Sequence, residues 1–233
     1  MLNDILEAHG GLANWQTVTE LTATFTAGGP FWRAKGWPGD QLDLTARLDP
    51  RTQRIEFSPF ADATLVLDNG EVSLLRDGEV LQARADPRAH FDGLDLKSRW
   101  DDPLRFGYFL AYAMWNYLTT PFQFTYPGFT TRELPDWQGM RRLAVSYPDT
   151  VHAHHRDQTF YFGHDGLLRR LDYVVDVNGG ADVAHLVEDH RTFDGLVFPA
   201  RRHVHPRNQD NTPDLGFEGI TVELRDVEVK RAR

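Results

Sequence analysis

The chain has no cysteine, so it can carry no disulfide framework, no thiolate nucleophile and no Cys-ligated zinc or iron–sulfur cluster. Serine is scarce, no G-x-S-x-G elbow occurs, and no glycine-rich loop stands between a strand and a helix. Acyl-enzyme, nucleotide-binding and Rossmann chemistry therefore lack their parts. Positive charge is in deficit: 25 Lys and Arg against 34 Asp and Glu leave a net charge of −9. Nucleic-acid binding needs a basic surface that releases counterions from phosphates, so nucleic acid is not an expected partner. The opening "MLNDILEAHGG" has neither a basic n-region nor an apolar h-region, and a cytoplasmic location is expected from it. Long hydrophobic runs are missing too, with one exception. Residues 106–131 hold no charge, but only "FGYFLAYAMWNYL" is strongly apolar, and Thr119, Thr120, Pro121, Gln123, Pro127 and Gly128 then break helix and hydrophobicity together. No transmembrane segment is expected; the run reads as a buried or lid-like helix.

At 233 residues and 41% hydrophobic content one core can be filled, and a single β-barrel-like domain over 1–233 is expected. The N-terminus reads as a helix stopped by Gly10 and Gly11, followed by a helical turn around "LANWQTV". The period then changes to two. Short alternating segments, among them "ELTATFTAGG", "FWRAKGW", "QLDLTARLD", "ATLVLDNG" and "EVSLLRDG", are separated by Gly, Pro, Asn-Gly and Asp-Gly, the last two being hairpin-turn signals. A helix over 103–118 interrupts them, with Asp102 able to cap and Pro103 at its first position. Phe106, Phe109, Leu110, Met114 and Tyr117 form its broad apolar stripe, widened by Tyr108, Tyr112 and Trp115. Strands resume through "GMRRLAVSYP", "HAHHRDQTFYF", "LLRRLDYVVDV", "ADVAHLVEDHRTF", "LVFPARRHVHP" and "GITVELRDVEVK". So many antiparallel strands must twist or roll up. The expected fold is mainly β: a strongly curved antiparallel sheet forming an open, unclosed barrel, with the 103–118 helix as plug or lid.

Three segments carry a family likeness: "YPDTVHAHHRDQTFYFGHDGLLRRLDY", "NGGADVAHL" and "DGLVFPARRHVHP". Together they resemble a pattern of an uncharacterised bacterial family related to the lipoprotein-carrier superfamily of LolA, LolB and LppX, and "EAHGGLANWQTVTEL" is more loosely similar to that superfamily's opening. The resemblance implies an unclosed antiparallel barrel with a helical plug, holding an apolar or amphipathic ligand. Leu171 stands where the family pattern has His, and there is no lipidation cysteine.

The histidines pose the chemical question. On a strand, His152 and His154 share a face, as do His203 and His205, and two such pairs on neighbouring strands could hold zinc or iron. No carboxylate at a matching position completes a three-ligand set, and no metal or other cofactor is expected. A better constellation comes from alternation. His154 goes with Gln158 and Phe160; Tyr173 with Arg169, Leu171 and Val175; His185 with Val183 and Val187; Arg202 with Phe198 and Val204. Four polar side chains, His154, Tyr173, His185 and Arg202, thus fall on apolar faces, expected to meet Phe109, Tyr112, Met114 or Trp115 of the helix across an apolar space. The expected function is binding of a hydrophobic or amphipathic small molecule in the barrel, with Phe109, Tyr112, Met114, Trp115, Gln158, Phe160, Arg169 and Arg202 as ligand-binding residues. One alternative is a cofactor-free isomerase, cyclase or dehydratase in which His154 or His185 moves a proton and Tyr173 or Arg202 stabilises an oxyanion. A second is a His-based metalloenzyme.

Overall fold

A computed structural model describes residues 1–232. Two short helices, α1 (Leu2–Ala8) and α2 (Leu12–Trp15), precede strand β1 (Val18–Gly28) and helix α3 (Pro30–Lys35). A meander follows: β2 (Gln41–Asp49), β3 (Arg54–Phe60), β4 (Ala63–Asp68), β5 (Glu71–Arg76) and β6 (Glu79–Arg84). After helix α4 (Pro103–Thr119) come β7 (Thr130–Trp137), β8 (Met140–Ser146), β9 (Asp157–Phe162), β10 (Leu168–Val175), β11 (Ala181–Phe193), β12 (Leu196–Pro206) and β13 (Ile220–Arg231).

All thirteen described strands form one antiparallel sheet in the order β6-β5-β4-β3-β2-β1-β13-β12-β11-β10-β9-β8-β7. The terminal strands meet in its middle, with Ala23 opposite Val227, and the free edges are β6 and β7. The sheet is therefore not closed, as expected. Both edges are largely exposed and bear charges, and β7 carries Pro135, features that discourage pairing with another chain. Helix α4 lies in the connection between the two edges and packs on β3 to β6. Asp102 caps it by accepting from the Leu104 N–H at 2.9 Å. Every residue of α4 except Pro103 and Arg105 is buried, which an all-round apolar helix requires. Among the described residues no helix is long and apolar enough to cross a membrane.

Local chemistry fixes how the chain ends are stitched in. Gly10 has φ +113°, and a Cβ there would come within 2.2 Å of the Gly195 carbonyl oxygen; only glycine allows this approach of the N-terminal turn to the β11–β12 hairpin.

Three sequence expectations need correction. "FWRAKGW" is not a strand: Phe31–Lys35 belong to α3, which begins with Pro30 at its first turn and ends on Gly36 in the left-handed region, so helix punctuation overrides the alternation. The strand bearing "HAHHRDQTFYF" starts only at Asp157, leaving 152–156 as a loop. Strand β7 was not expected, because an edge strand with both faces exposed has no period-2 signal.

Candidate functional site

The loop 148–156 is the first part of the site. Outside the sheet its backbone must find partners elsewhere, and side chains supply them. The His152 carbonyl accepts from Gln53 Nε2 at 2.7 Å and Asn116 Nδ2 at 2.9 Å, and Arg88 donates to the Ala153 and His154 carbonyls. So held, the three histidines point three ways. His155 stays outside, its Nδ1 accepting from the Asp157 N–H. His152 is half-buried against Tyr108, 2.6 Å from its hydroxyl. His154 is buried in the interior.

His154 enters a hydrogen-bonded row of aromatic side chains. Tyr112 Oη lies 3.1 Å from His154 Nδ1 and Tyr117 Oη 2.9 Å from His154 Nε2. The row continues from Tyr117 Oη to Tyr173 Oη at 3.3 Å and on to His185 Nδ1 at 3.1 Å. The His154 and Tyr173 rings stack 4.2 Å apart, and the Arg202 guanidinium lies 4.4 Å over the Tyr117 ring while donating from Nη2 to the Tyr117 carbonyl at 3.3 Å. That carbonyl belongs to the last turn of α4, where the helix dipole favours a cation. Among the described residues His185 Nε2 and Arg202 Nη1 have no partner.

Electrostatically the row is neutral. Burial drives the His154 imidazole down to about 3, with the Arg88 charge acting in the same direction. Burial and then the Arg202 charge hold His185 well below its usual value. Burial also pushes Tyr117 up to about 12 and Tyr112 and Tyr173 well above the phenol range. Arg202 is lowered by burial to about 10, so it remains a cation at neutral pH.

Beside this row is a cavity of about 380 Å³, a volume suited to a small organic ligand. Helix α3 contributes Phe31 and Trp32; α4 contributes Phe109, Leu110, Ala113, Met114 and Tyr117. The opposite wall is Tyr173 and Val175 of β10, Val183 of β11, Val204 and His205 of β12, and Ile220 and Val222 of β13, with His154 between the walls. Leu96 and Phe217, both exposed, stand at its rim with the Asp182–Arg207 ion pair. The Leu96 side is fastened by buried Lys35, whose Nζ donates to the Leu96 and Ser98 carbonyls.

The expected site residues divide accordingly. Phe109, Met114, His154 and Tyr173 line the cavity together. Tyr112 supports His154 from behind, and His185 and Arg202 lie under the wall against Tyr117. Four residues lie elsewhere. Trp115 donates to the Asp49 carbonyl, Gln158 to the His155 carbonyl, Phe160 packs on Phe124, and Arg169 pairs with Asp165 beyond the β9–β10 turn. A register shift between Leu168 and Arg170 breaks the alternation that was to turn Arg169 inward. Tyr117, the hub of the row, was read as helix stripe only; its position seven residues after Leu110 and eight after Phe109 was the available signal. Phe31 and Trp32 were hidden by the mistaken strand.

The two His-x-His pairs do not form one site. His152 is off the sheet beside Tyr108, whereas His203 bonds Glu218 and His205 donates to the Phe217 carbonyl. Among the described residues no group of three or more His, Asp or Glu is placed to hold a metal ion.

No family model and no curated protein matches the chain. Solved structures do. A LolA superfamily protein from Nitrosomonas europaea aligns over 98% of this chain and 93% of its own, with a TM-score of 0.54 at 8% identity. A DUF1329 family protein from Desulfovibrio piger aligns over the same shares with a TM-score of 0.47 at 9% identity. The first likeness, at so low an identity, is one of fold: the chain has a LolA-like fold.

Proposed function

On this LolA-like fold, we propose that the protein binds a hydrophobic or amphipathic small molecule in the cavity between α4 and strands β10 to β13. The observation that carries the reading is the lining itself: an apolar cavity of about 380 Å³ walled by aromatic and aliphatic side chains, with His154, Asn178, Asp182, His205 and Arg207 and the hydroxyls of Tyr117 and Tyr173 as its polar groups. Burying apolar ligand surface there contributes about 25 cal/mol per Å² before the costs of association.

Acid–base catalysis gains no support from the same geometry. An imidazole at about 3 is too weak a base at neutral pH, and a phenol at about 12 too weak an acid. The row is better suited to fixing a ligand's orientation. The test is to extract the purified protein with organic solvent and identify what it carries by mass spectrometry, then to refill it with the recovered compound. Ala113→Phe, which projects a ring into the chamber, is expected to weaken that rebinding at least tenfold; undiminished rebinding places the ligand elsewhere and overturns the reading.

A further inference from the structure

The Arg202 guanidinium stands out for what it lacks. A buried charge is costly unless it is paired and hydrogen-bonded. Arg202 is buried, and among the described residues no carboxylate lies within 4 Å of it; its one hydrogen bond is to the carbonyl of Tyr117. The helix end and the face of the Tyr117 ring offset part of the charge. They leave Nη1 with nothing to donate to. Against the same ring, at a centroid distance of 5.0 Å, is His185, whose Nε2 is also without a partner.

The hydrogen-bonded row has a direction in which His185 Nε2 carries the proton. A neutral imidazole has one N–H and one lone pair. With the proton on Nε2, Tyr173 donates to Nδ1, Tyr117 donates to Tyr173, His154 Nε2–H donates to Tyr117 and Tyr112 donates to His154 Nδ1. Every member of the row is then satisfied and His185 Nε2–H is left as a free donor, packed like Arg202 against the Tyr117 ring; run the other way, the row would leave the Tyr112 hydroxyl hydrogen free and His185 Nε2 an acceptor. Tyr117, which lines the cavity, stands between these two atoms and the apolar space.

We propose that the ligand is an acidic amphiphile, an apolar chain ending in a carboxylate, whose chain fills the cavity while its head passes the Tyr117 ring to accept from Arg202 Nη1 and His185 Nε2. The inference rests on the binding reading above and adds the chemistry of the head group. A carboxylate brings one charge and two acceptor oxygens, matching one cation and one neutral N–H. A phosphate monoester would bring nearly two charges and three oxygens to a wall with one cation.

Isothermal titration calorimetry with dodecanoate and methyl dodecanoate, which differ only in the head, tests this on the intact protein. The acid is expected to bind about ten- to a hundredfold more tightly than the ester, the scale of hydrogen bonds to a charged group. Arg202→Met should erase the preference while leaving the ester's affinity within about threefold, and Arg202→Lys should keep part of it. Equal affinities in the unaltered protein overturn the inference and leave the binding reading standing, with no variant needed. If neither probe binds, the inference falls, and the binding reading is decided by the solvent extraction and the Ala113→Phe rebinding. A preference that survives Arg202→Met gives the head to another group and overturns the assignment.

Discussion

Two buried arginines on the same sheet are built in opposite ways. Arg170 of β10 and Arg202 of β12 are 2% and 5% exposed, so solvation does not separate them; their partners do. Arg170 donates from Nε and Nη2 to Asp172 at 2.6 and 2.9 Å and from Nη2 to the Asn211 carbonyl at 2.8 Å, with the rings of Trp137 and Tyr161 both 4.9 Å away. Tyr161 completes the group by donating to Asp172 at 2.7 Å. Arg202 has one long hydrogen bond, one ring and an idle nitrogen. A guanidinium with its anion in place fastens the loop after β12 to the outside of the sheet. One with no carboxylate within 4 Å among the described residues, set behind an apolar cavity, fits the proposed anionic head group.

The largest effect expected from breaking this contrast is at the outer cluster. Asp172→Ala strands a buried cation and should cost about 3–5 kcal/mol in urea unfolding; a loss below about 1 kcal/mol would mean that Arg170 is held by its rings alone. Next comes acid. The folded His154 sits at about 3 and the unfolded one near 6.5, so on lowering the pH the unfolded chain takes up the proton first. Stability contributed by the neutral form is therefore full above about 6.5 and is lost as the pH falls toward 3. His154→Gln should reduce the slope of unfolding free energy by about 1.4 kcal/mol per pH unit between about pH 5.5 and 4; an unchanged slope contradicts a neutral buried imidazole. Smaller again, Tyr173→Phe interrupts the row and leaves His185 Nδ1 unpaired, at an expected cost of about 1–2 kcal/mol in the same assay. The smallest effect is the most telling. Arg202→Met in the ligand-free protein should change stability by no more than about 1 kcal/mol, or raise it, since an unpaired buried charge contributes little. A loss as large as that of Asp172→Ala would show that the two arginines are alike after all.

Much of this was legible in the sequence, and the failures have physical causes. Alternation with Asn-Gly and Asp-Gly turns identified the curved sheet, because one face of each strand must be buried. Asp102 and Pro103 located the start of α4. The same alternation misled at Phe31–Trp37, where a six-residue helix is too short to show its own period, and at 152–156, where histidines in a loop mimic a strand. His154, Tyr173, His185 and Arg202 were read as converging, and they do meet through Tyr117. What could not be read was which aromatics surround a void and which fill the core, since Trp32 at the cavity and Trp115 away from it are the same residue type with the same burial.

The unpaired edges of the sheet have a consequence for capacity. In a closed barrel, strand number and stagger fix the girth, and an oversized guest must break the ring of hydrogen bonds. Here β6 and β7 are not bonded to each other, so the sheet can uncurl slightly about the backbone twist of each strand without losing a ladder bond. The chamber is bounded by side chains of α3 and α4 on one side and of β10 to β13 on the other, not by a closed ring of ladder bonds.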